Sequence, residues 1–166
     1  MAAEPLALDF SLLRSVRVAP ALYKEADLRA LALLVLNAEG VTGPVALNLD
    51  LTGHERIHAL NRRFRGVDRS TDVISFRDDA LPVGGRDHAK RLRAQGFTGD
   101  IAINVAQAGV QAKKVGHSLP RELRLLWIHA ILHLLDYTDY DPVPRRKMFR
   151  RQNQLLRRWE VRAGKK

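Results

Sequence analysis

Two pairs of histidines are the residues of this sequence best suited to metal chemistry. His54 and His58 form the first pair, in HERIH, and His129 and His133 form the second, in HAILH. Residues four positions apart lie on the same face of a helix, so both imidazoles of a pair can reach one metal ion. The surroundings of each pair must therefore indicate which pair binds metal.

The HERIH pair matches the motif of zinc metalloproteases, in which the glutamate after the first histidine is the general base. Its position argues against a zinc site. Thr52 and Glu55 have the spacing of a capping box, and His54 falls in the first turn of the predicted helix, where the helix dipole disfavours a cation. We interpret HERIH as the start of a capped, solvated helix, with a metalloprotease as the alternative.

The HAILH pair lies in an apolar segment, LRLLWIHAILHLLDY. Burial keeps imidazole neutral and restricts its rotamers, and neutral imidazole is the form that binds metal. Two core histidines hydrogen-bonded to the backbone or to each other are the alternative. Because Asp136, Asp139 and Asp141 follow the pair, we favour a metal site. Ala130 stands where a zinc protease has its glutamate, which excludes that protease chemistry here.

The elements that position these residues are predicted from hydrophobic periodicity. Apolar residues alternate over 45–51, which predicts a strand buried on one face, and further strands are predicted at 6–10, 72–76 and 100–104. Five helices are predicted, at 26–38, 52–66, 105–115, 119–135 and from about 144. This order predicts an α+β fold in which a small mixed sheet packs with the helices and the HAILH helix is buried next to the sheet. The polar segment between 76 and 100 is predicted to be a mobile loop.

Length and composition favour one cytoplasmic domain. The chain has 166 residues, 46% of them hydrophobic, and no run of Ser, Gly or Pro that suggests a linker, so a single domain over 1–166 is expected. The absence of cysteine excludes disulfides and thiolate zinc sites. The first residues lack the pattern of a signal peptide, and no segment reaches the roughly 18 apolar residues of a membrane span. We therefore expect no membrane association.

The positive charge is concentrated near the C-terminus. Of a net charge of +10, the stretch 145–166 carries seven Arg and three Lys against a single Glu. The predicted helix from about 144 has an apolar face and a basic face. The basic face comprises Arg146, Lys147, Arg150, Arg151, Arg157 and Arg158. Such a face favours contact with RNA phosphates, and a solvated helix face is the alternative.

Three blocks of the sequence resemble the YbeY endoribonucleases, metal-dependent RNases linked to ribosomal RNA maturation. The blocks are LNRRFRGVDRSTDVISF at 60–76, GDIAIN at 99–104 and HAILHLLDYTD at 129–139. The resemblance implies a single-strand endoribonuclease that acts in ribosomal RNA processing and ribosome maturation or quality control, with ribosomal RNA and the small ribosomal subunit as partners. It also implies that His129 and His133 bind one zinc ion and that Arg65 is the catalytic or phosphate-binding arginine.

The third metal ligand departs from the family pattern. An ungapped alignment places Asp136 at the family's glycine and Asp139 at its third histidine. Asp139 could bind zinc through oxygen, and two histidines with one carboxylate leave a position open for water. The carboxylate also favours a harder divalent metal. Asp141 is the alternative third ligand, and a catalytically impaired, ribosome-associated RNA-binding protein is the alternative function.

Overall fold

The computed structural model describes residues 5–78 and 87–164, which form four strands and six helices besides a short 3-10 turn at Pro20–Leu22. The strands are β1 (Leu8–Arg14), β2 (Val45–Thr52), β3 (Val73–Asp78) and β4 (Phe97–Asn104). The helices are α1 (Glu25–Ala38), α2 (His54–Arg65), α3 (His88–Gln95), α4 (Val105–Val115), α5 (Leu119–Leu134) and α6 (Pro142–Ala163).

The four strands form one mixed sheet in the order β1-β2-β4-β3. Both β1 and β4 run parallel to β2, whereas β3 runs antiparallel to β4 at the edge of the sheet. Parallel neighbours need long crossover connections, and the helices between the strands supply them. The predicted α+β class with a small mixed sheet is confirmed.

One face of the sheet forms the main hydrophobic core with α1, α5 and α6. Trp127 of α5 donates its indole N–H to the Leu28 carbonyl of α1 at 3.0 Å, which joins the two helices beneath the sheet. The alternation predicted for β2 is confirmed, because its apolar side chains are at most 3% exposed; they are Val45, Leu47, Leu49 and Leu51. The HAILH pair therefore lies on a buried helix next to the sheet, as predicted.

Gly99 of β4 lets α5 approach the sheet closely. A Cβ atom at this position would lie 2.4 Å from Cδ1 of Leu134 and 3.0 Å from Cδ2 of Leu47. Protein interiors are close-packed, so a side chain here would require at least the Leu134 side chain of α5 to move. The glycine of the GDIAIN block thus has a packing role.

Helix α2 packs against the opposite face of the sheet. Its residue Ile57 forms a small buried cluster with Ile74 of β3 and Ala102 of β4. Alternate residues of a strand point to opposite faces, which is why this cluster is separate from the main core. The HERIH and HAILH pairs therefore belong to helices on different faces of the sheet.

Several predicted element boundaries differ from the structure. Strand β4, for example, begins at Phe97 instead of residue 100. The first strand extends over Leu8–Arg14 instead of 6–10, since Arg14 still pairs with Leu51 of β2. The last helix begins at Pro142, two residues before the expected start. The predicted loop between 76 and 100 contains α3, whose Leu92 is fully buried, so this part of the loop prediction is wrong. Residues 79–86 of that loop lie outside the described residues.

The predicted capping box at the start of α2 is also wrong. Gly53 is the N-cap residue of α2, and no side chain caps the helix. Thr52 instead ends β2, where it pairs with Asn104 of β4 and is fully buried. Thr52 therefore belongs to strand β2 and is not the capping residue of α2. Within residues 5–78 and 87–164, no helix combines the length and apolar composition needed to cross a membrane.

Candidate metal centre

Three side chains from α5 and the turn after it bring their ligand atoms together. Nε2 of His129 and Nε2 of His133 lie 3.0 Å apart. Oδ2 of Asp139 lies 3.7 Å from Nε2 of His129, and Oδ1 lies 3.7 Å from Nε2 of His133. Two ligands about 2.1 Å from a tetrahedral zinc ion are roughly 3.4 Å apart, so the three distances lie close to this value. The group could hold one metal ion, and three ligands leave one position for water or substrate.

Hydrogen bonds at the other ring nitrogens fix the tautomers of both histidines. Nδ1 of His133 lies 2.9 Å from the backbone carbonyl oxygen of Tyr137. Nδ1 of His129 lies 2.8 Å from Oε1 of Gln152, which is buried on α6. Because both oxygens only accept, each Nδ1 donates and each Nε2 keeps its lone pair. Two lone pairs at this separation repel each other, and a cation between them removes the repulsion.

The surroundings of His133 favour its neutral form. Burial lowers the pKa of this imidazole, and the neighbouring His129 lowers it further. Asp139 opposes this shift, whereas Arg65 adds to it. A neutral imidazole is the metal-binding form, so these surroundings suit a metal ligand.

The three candidate ligands line a small cavity of about 140 Å³. Arg65, the last residue of α2, lies on the same cavity wall, although sequence reasoning tied it to the histidines only through the family resemblance. Thr71 and Asp72, which precede β3, also line the cavity. The end of α2 and the histidines of α5 therefore meet beside the edge strand β3.

The turn that carries Asp139 is anchored by Asp136. This residue adopts a left-handed conformation with φ of 69°, which favours glycine but is accessible to aspartate. Arg77 of β3 donates to Oδ1 of Asp136 at 2.9 Å and also to the Leu134 carbonyl at the end of α5. His88 of α3 lies 3.3 Å from the second carboxylate oxygen. The side chain at the family's glycine position thus connects the turn to two other elements.

The HERIH pair contacts a loop instead of forming a metal site. Nδ1 of His54 lies 3.1 Å from the Ser70 hydroxyl and 2.9 Å from Nδ2 of Asn104. Nε2 of His58 lies 2.7 Å from Oδ1 of Asp68. Among the described residues, the group of His129, His133 and Asp139 is the one with metal-binding spacing. We therefore assign HERIH the function of anchoring residues 68–70, the loop between Arg65 and β3.

Two residues on the basic face of α6, Lys147 and Arg151, have contacts with other parts of the chain. Nζ of Lys147 lies 5.8 Å from the centroid of the Tyr137 ring. Nε of Arg151 donates to Oε1 of Glu39 at 2.5 Å, and its NH2 group donates to the Ala38 carbonyl at 3.0 Å. This arginine therefore provides a hydrogen-bond donor for a carbonyl at the C-terminal end of α1. The other predicted RNA-binding residues are exposed; they are Arg146, Lys147, Arg150, Arg157 and Arg158.

Gln152 is the site residue that sequence reasoning did not identify. It lies on the apolar face of α6, where it is buried. A buried amide needs a hydrogen-bond partner, so its occurrence within an apolar stripe was the available signal. The partner, His129, is on a different helix, and periodicity does not indicate which helix that is.

Comparison with known proteins identifies the family. The sequence model of the family described as endoribonuclease YbeY matches residues 19–160. The chain belongs to this family. It is 42% identical over 122 residues to the endoribonuclease YbeY of Brevibacillus brevis, which covers 71% of this chain and 76% of the relative. It is 35% identical over 136 residues to that of Bacillus licheniformis, covering 81% of this chain and 84% of the relative.

A solved structure supports the fold. A protein from Thermotoga maritima, determined in solution, matches with a TM-score of 0.58 and 23% identity, over 95% of this chain and 93% of that one. The likeness concerns the fold and extends over most of the chain. The family membership predicted from the three sequence blocks is confirmed.

Proposed function

We propose that this chain is a metal-dependent endoribonuclease that hydrolyses phosphodiester bonds of single-stranded RNA in the cytoplasm. The observation that carries the proposal is that His129, His133, Asp139 and Arg65 line one cavity in a member of the YbeY family. We further propose that the RNA is ribosomal, that the small ribosomal subunit is a partner, and that residues 1–166 act as one domain.

His129, His133 and Asp139 are the proposed ligands of one zinc ion or of a harder divalent metal. When bound, such an ion supplies a more acidic water and polarises a phosphate oxygen. The fit rests on the ligand spacing and on the two Nε2 lone pairs that face each other. Gln152 and the Tyr137 carbonyl keep these lone pairs directed at the same point.

Arg65 is proposed to bind the phosphodiester and to stabilise the negative charge that develops on it. A guanidinium forms two parallel hydrogen bonds to phosphate, and its charge stays fixed in any usable pH range. Residues 68–70 are anchored to α2 by His54 and His58, which limits the movement of the segment that follows Arg65. Arg65 would therefore act from a restrained position.

The exposed basic residues of α6 are proposed to attract the RNA backbone. Phosphate contacts hold the strand without reading its sequence and weaken steeply with salt. Arg151 contributes to the fold through Glu39, so we assign the attraction mainly to its exposed neighbours, Arg146, Lys147, Arg150, Arg157 and Arg158.

Metal content and RNA cleavage of three proteins test this function. Wild type, His133→Ala and the matched His54→Ala variant are compared after dialysis against zinc and after chelation. We expect His133→Ala to lose both metal and cleavage, while His54→Ala keeps its metal. Loss of metal only in His54→Ala contradicts the proposal. A wild type that binds RNA but holds no metal, and cleaves nothing when zinc is supplied, supports the RNA-binding alternative.

A further inference from the structure

Tyr140 is an exposed aromatic residue at the candidate metal centre. It directly follows Asp139, lines the same cavity and is 78% exposed. The other two tyrosines have partners, since the hydroxyl of Tyr23 accepts from Arg14 and that of Tyr137 donates to Glu39. For Tyr140, the described part of the chain offers no hydrogen bond or ring contact.

The size of the cavity limits which part of an RNA can enter it. Pockets that enclose whole small molecules usually measure about 300–1,000 Å³, whereas this one measures about 140 Å³. A phosphodiester group with its metal ion fits that space, but a complete nucleotide does not. The nucleobase next to the reacting phosphate must therefore lie outside the cavity, where the Tyr140 ring is exposed.

The backbone near Tyr140 is anchored, which would place its ring reproducibly. Arg145 of α6 donates to the Asp139 carbonyl at 2.8 Å. The side chain of Asp139 is next to His129 and His133. An aromatic ring with an open face and a fixed attachment is a suitable stacking surface, because every nucleobase has a π face.

We propose that Tyr140 stacks on the nucleobase adjacent to the phosphodiester that Arg65 binds in the cavity of His129, His133 and Asp139. This inference rests on the proposed function and adds a base subsite to it. The subsite accepts any base, because stacking does not read hydrogen-bonding groups. It would give the site a preference for unpaired RNA, since a base inside a duplex is not available to an external ring.

The test compares Tyr140→Ala and Tyr140→Phe with a matched control, Val143→Ala. Val143 is 68% exposed on the first turn of α6 and does not line the cavity. The zinc-loaded proteins are mixed with single-stranded RNAs that carry one abasic ribose at each position in turn. Single-turnover cleavage gives the half-saturating protein concentration, and 2-aminopurine fluorescence in the same strand reports stacking before cleavage.

We expect Tyr140→Ala to raise the half-saturating concentration about tenfold on intact RNA and to abolish the fluorescence quenching at one position. With RNA that is abasic at that position, the half-saturating concentration of wild type should also rise about tenfold. On the same RNA, Tyr140→Ala should show no further rise. Tyr140→Phe should behave as wild type, and so should Val143→Ala.

Three results would overturn the base subsite. One is an unchanged half-saturating concentration in Tyr140→Ala. The second is that Tyr140→Ala raises the half-saturating concentration by the same factor on every abasic RNA, and the third is a weaker zinc affinity of Tyr140→Ala. Either of the last two means that Tyr140 acts by positioning Asp139. If wild type neither cleaves nor binds RNA, the proposed function fails and the subsite fails with it. If wild type cleaves RNA and Tyr140→Ala has the same half-saturating concentration as wild type, the subsite is rejected while the proposed function stands.

Discussion

The two histidine pairs of this chain have the same spacing but differ in what their side chains contact. At HAILH, both Nδ1 atoms are engaged by oxygens, and both Nε2 atoms point at each other and at Asp139. At HERIH, His54 and His58 contact different residues of a loop. Spacing on a helix therefore places two imidazoles on one face, but the partners of their second nitrogens decide whether they converge on a metal.

The third ligand also separates the two pairs. Asp139 reaches the HAILH pair from the turn after α5. Glu55, the glutamate of HERIH, lies on the exposed surface of α2. A pair without a third ligand remains a structural element, whereas a pair with a third ligand becomes a candidate metal centre.

Loss of the third ligand should have the largest effect. We expect Asp139→Ala to weaken zinc binding by more than about 100-fold, because removal of a direct ligand exceeds the effect of removing a residue behind it. Asp139→His should bind zinc, since imidazole restores the family's ligand type. Competition titration with a chromophoric chelator measures both affinities. If Asp139→Ala binds zinc as wild type does, Asp141 or another residue supplies the third ligand.

Removal of the amide behind His129 should have the next largest effect. Gln152→Leu keeps a buried side chain of similar size but leaves Nδ1 of His129 without its acceptor, so we expect about 10- to 100-fold weaker zinc binding. The matched control is Asn153→Leu, because Asn153 is the exposed neighbour on α6. The same chelator titration applies to both variants. If Gln152→Leu and Asn153→Leu bind zinc with equal affinity, the ring of His129 is oriented by packing alone.

Loss of His54 should affect stability more than metal binding. His54→Ala removes one partner of the Ser70 hydroxyl and of the buried Asn104 amide, and a hydrogen bond of this kind contributes about 1 kcal/mol. Urea denaturation should show this loss, while zinc affinity stays at the wild-type value. A large loss of zinc affinity in this variant would remove the distinction between the two pairs.

The smallest effect is expected at His58. The side chains of His58 and Asp68 are 43% and 74% exposed, and ion pairs that are this exposed contribute less than about 1 kcal/mol. We expect His58→Ala to change the free energy of unfolding by less than His54→Ala does. Urea curves of the two variants, recorded together, give the ranking. The reverse ranking would mean that Asp68 is the principal anchor of the loop.

Periodicity predicted those elements whose burial follows a regular pattern. Residues 45–51 alternate because one face of β2 packs against the core and the other does not. Helix α3 gave no such signal, since Leu92 is the buried residue in its eight-residue span. The capping pattern failed because Thr52 pairs with β4, a contact that joins residues far apart in sequence.

The candidate site was only partly predictable for a similar reason. His129 and His133 could be identified from their apolar context and spacing, and Asp139 from the family alignment. The Gln152 partner and the Arg77 contact to Asp136 depend on how α6 and β3 pack against α5 and its turn. Local sequence does not encode such packing, so these contacts had to come from the structure.

The contact between Gln152 and His129 has a consequence for the energetics of the whole chain. The unfolded polypeptide still contains both histidines, but it lacks the arrangement in which α6 orients one of them. Metal should therefore bind the native state much more tightly than the unfolded state, and this preference adds a stabilisation of RT ln(1 + [metal]/Kd). The melting temperature should then rise with free zinc concentration, so that thermal unfolding measures how much metal the native protein binds.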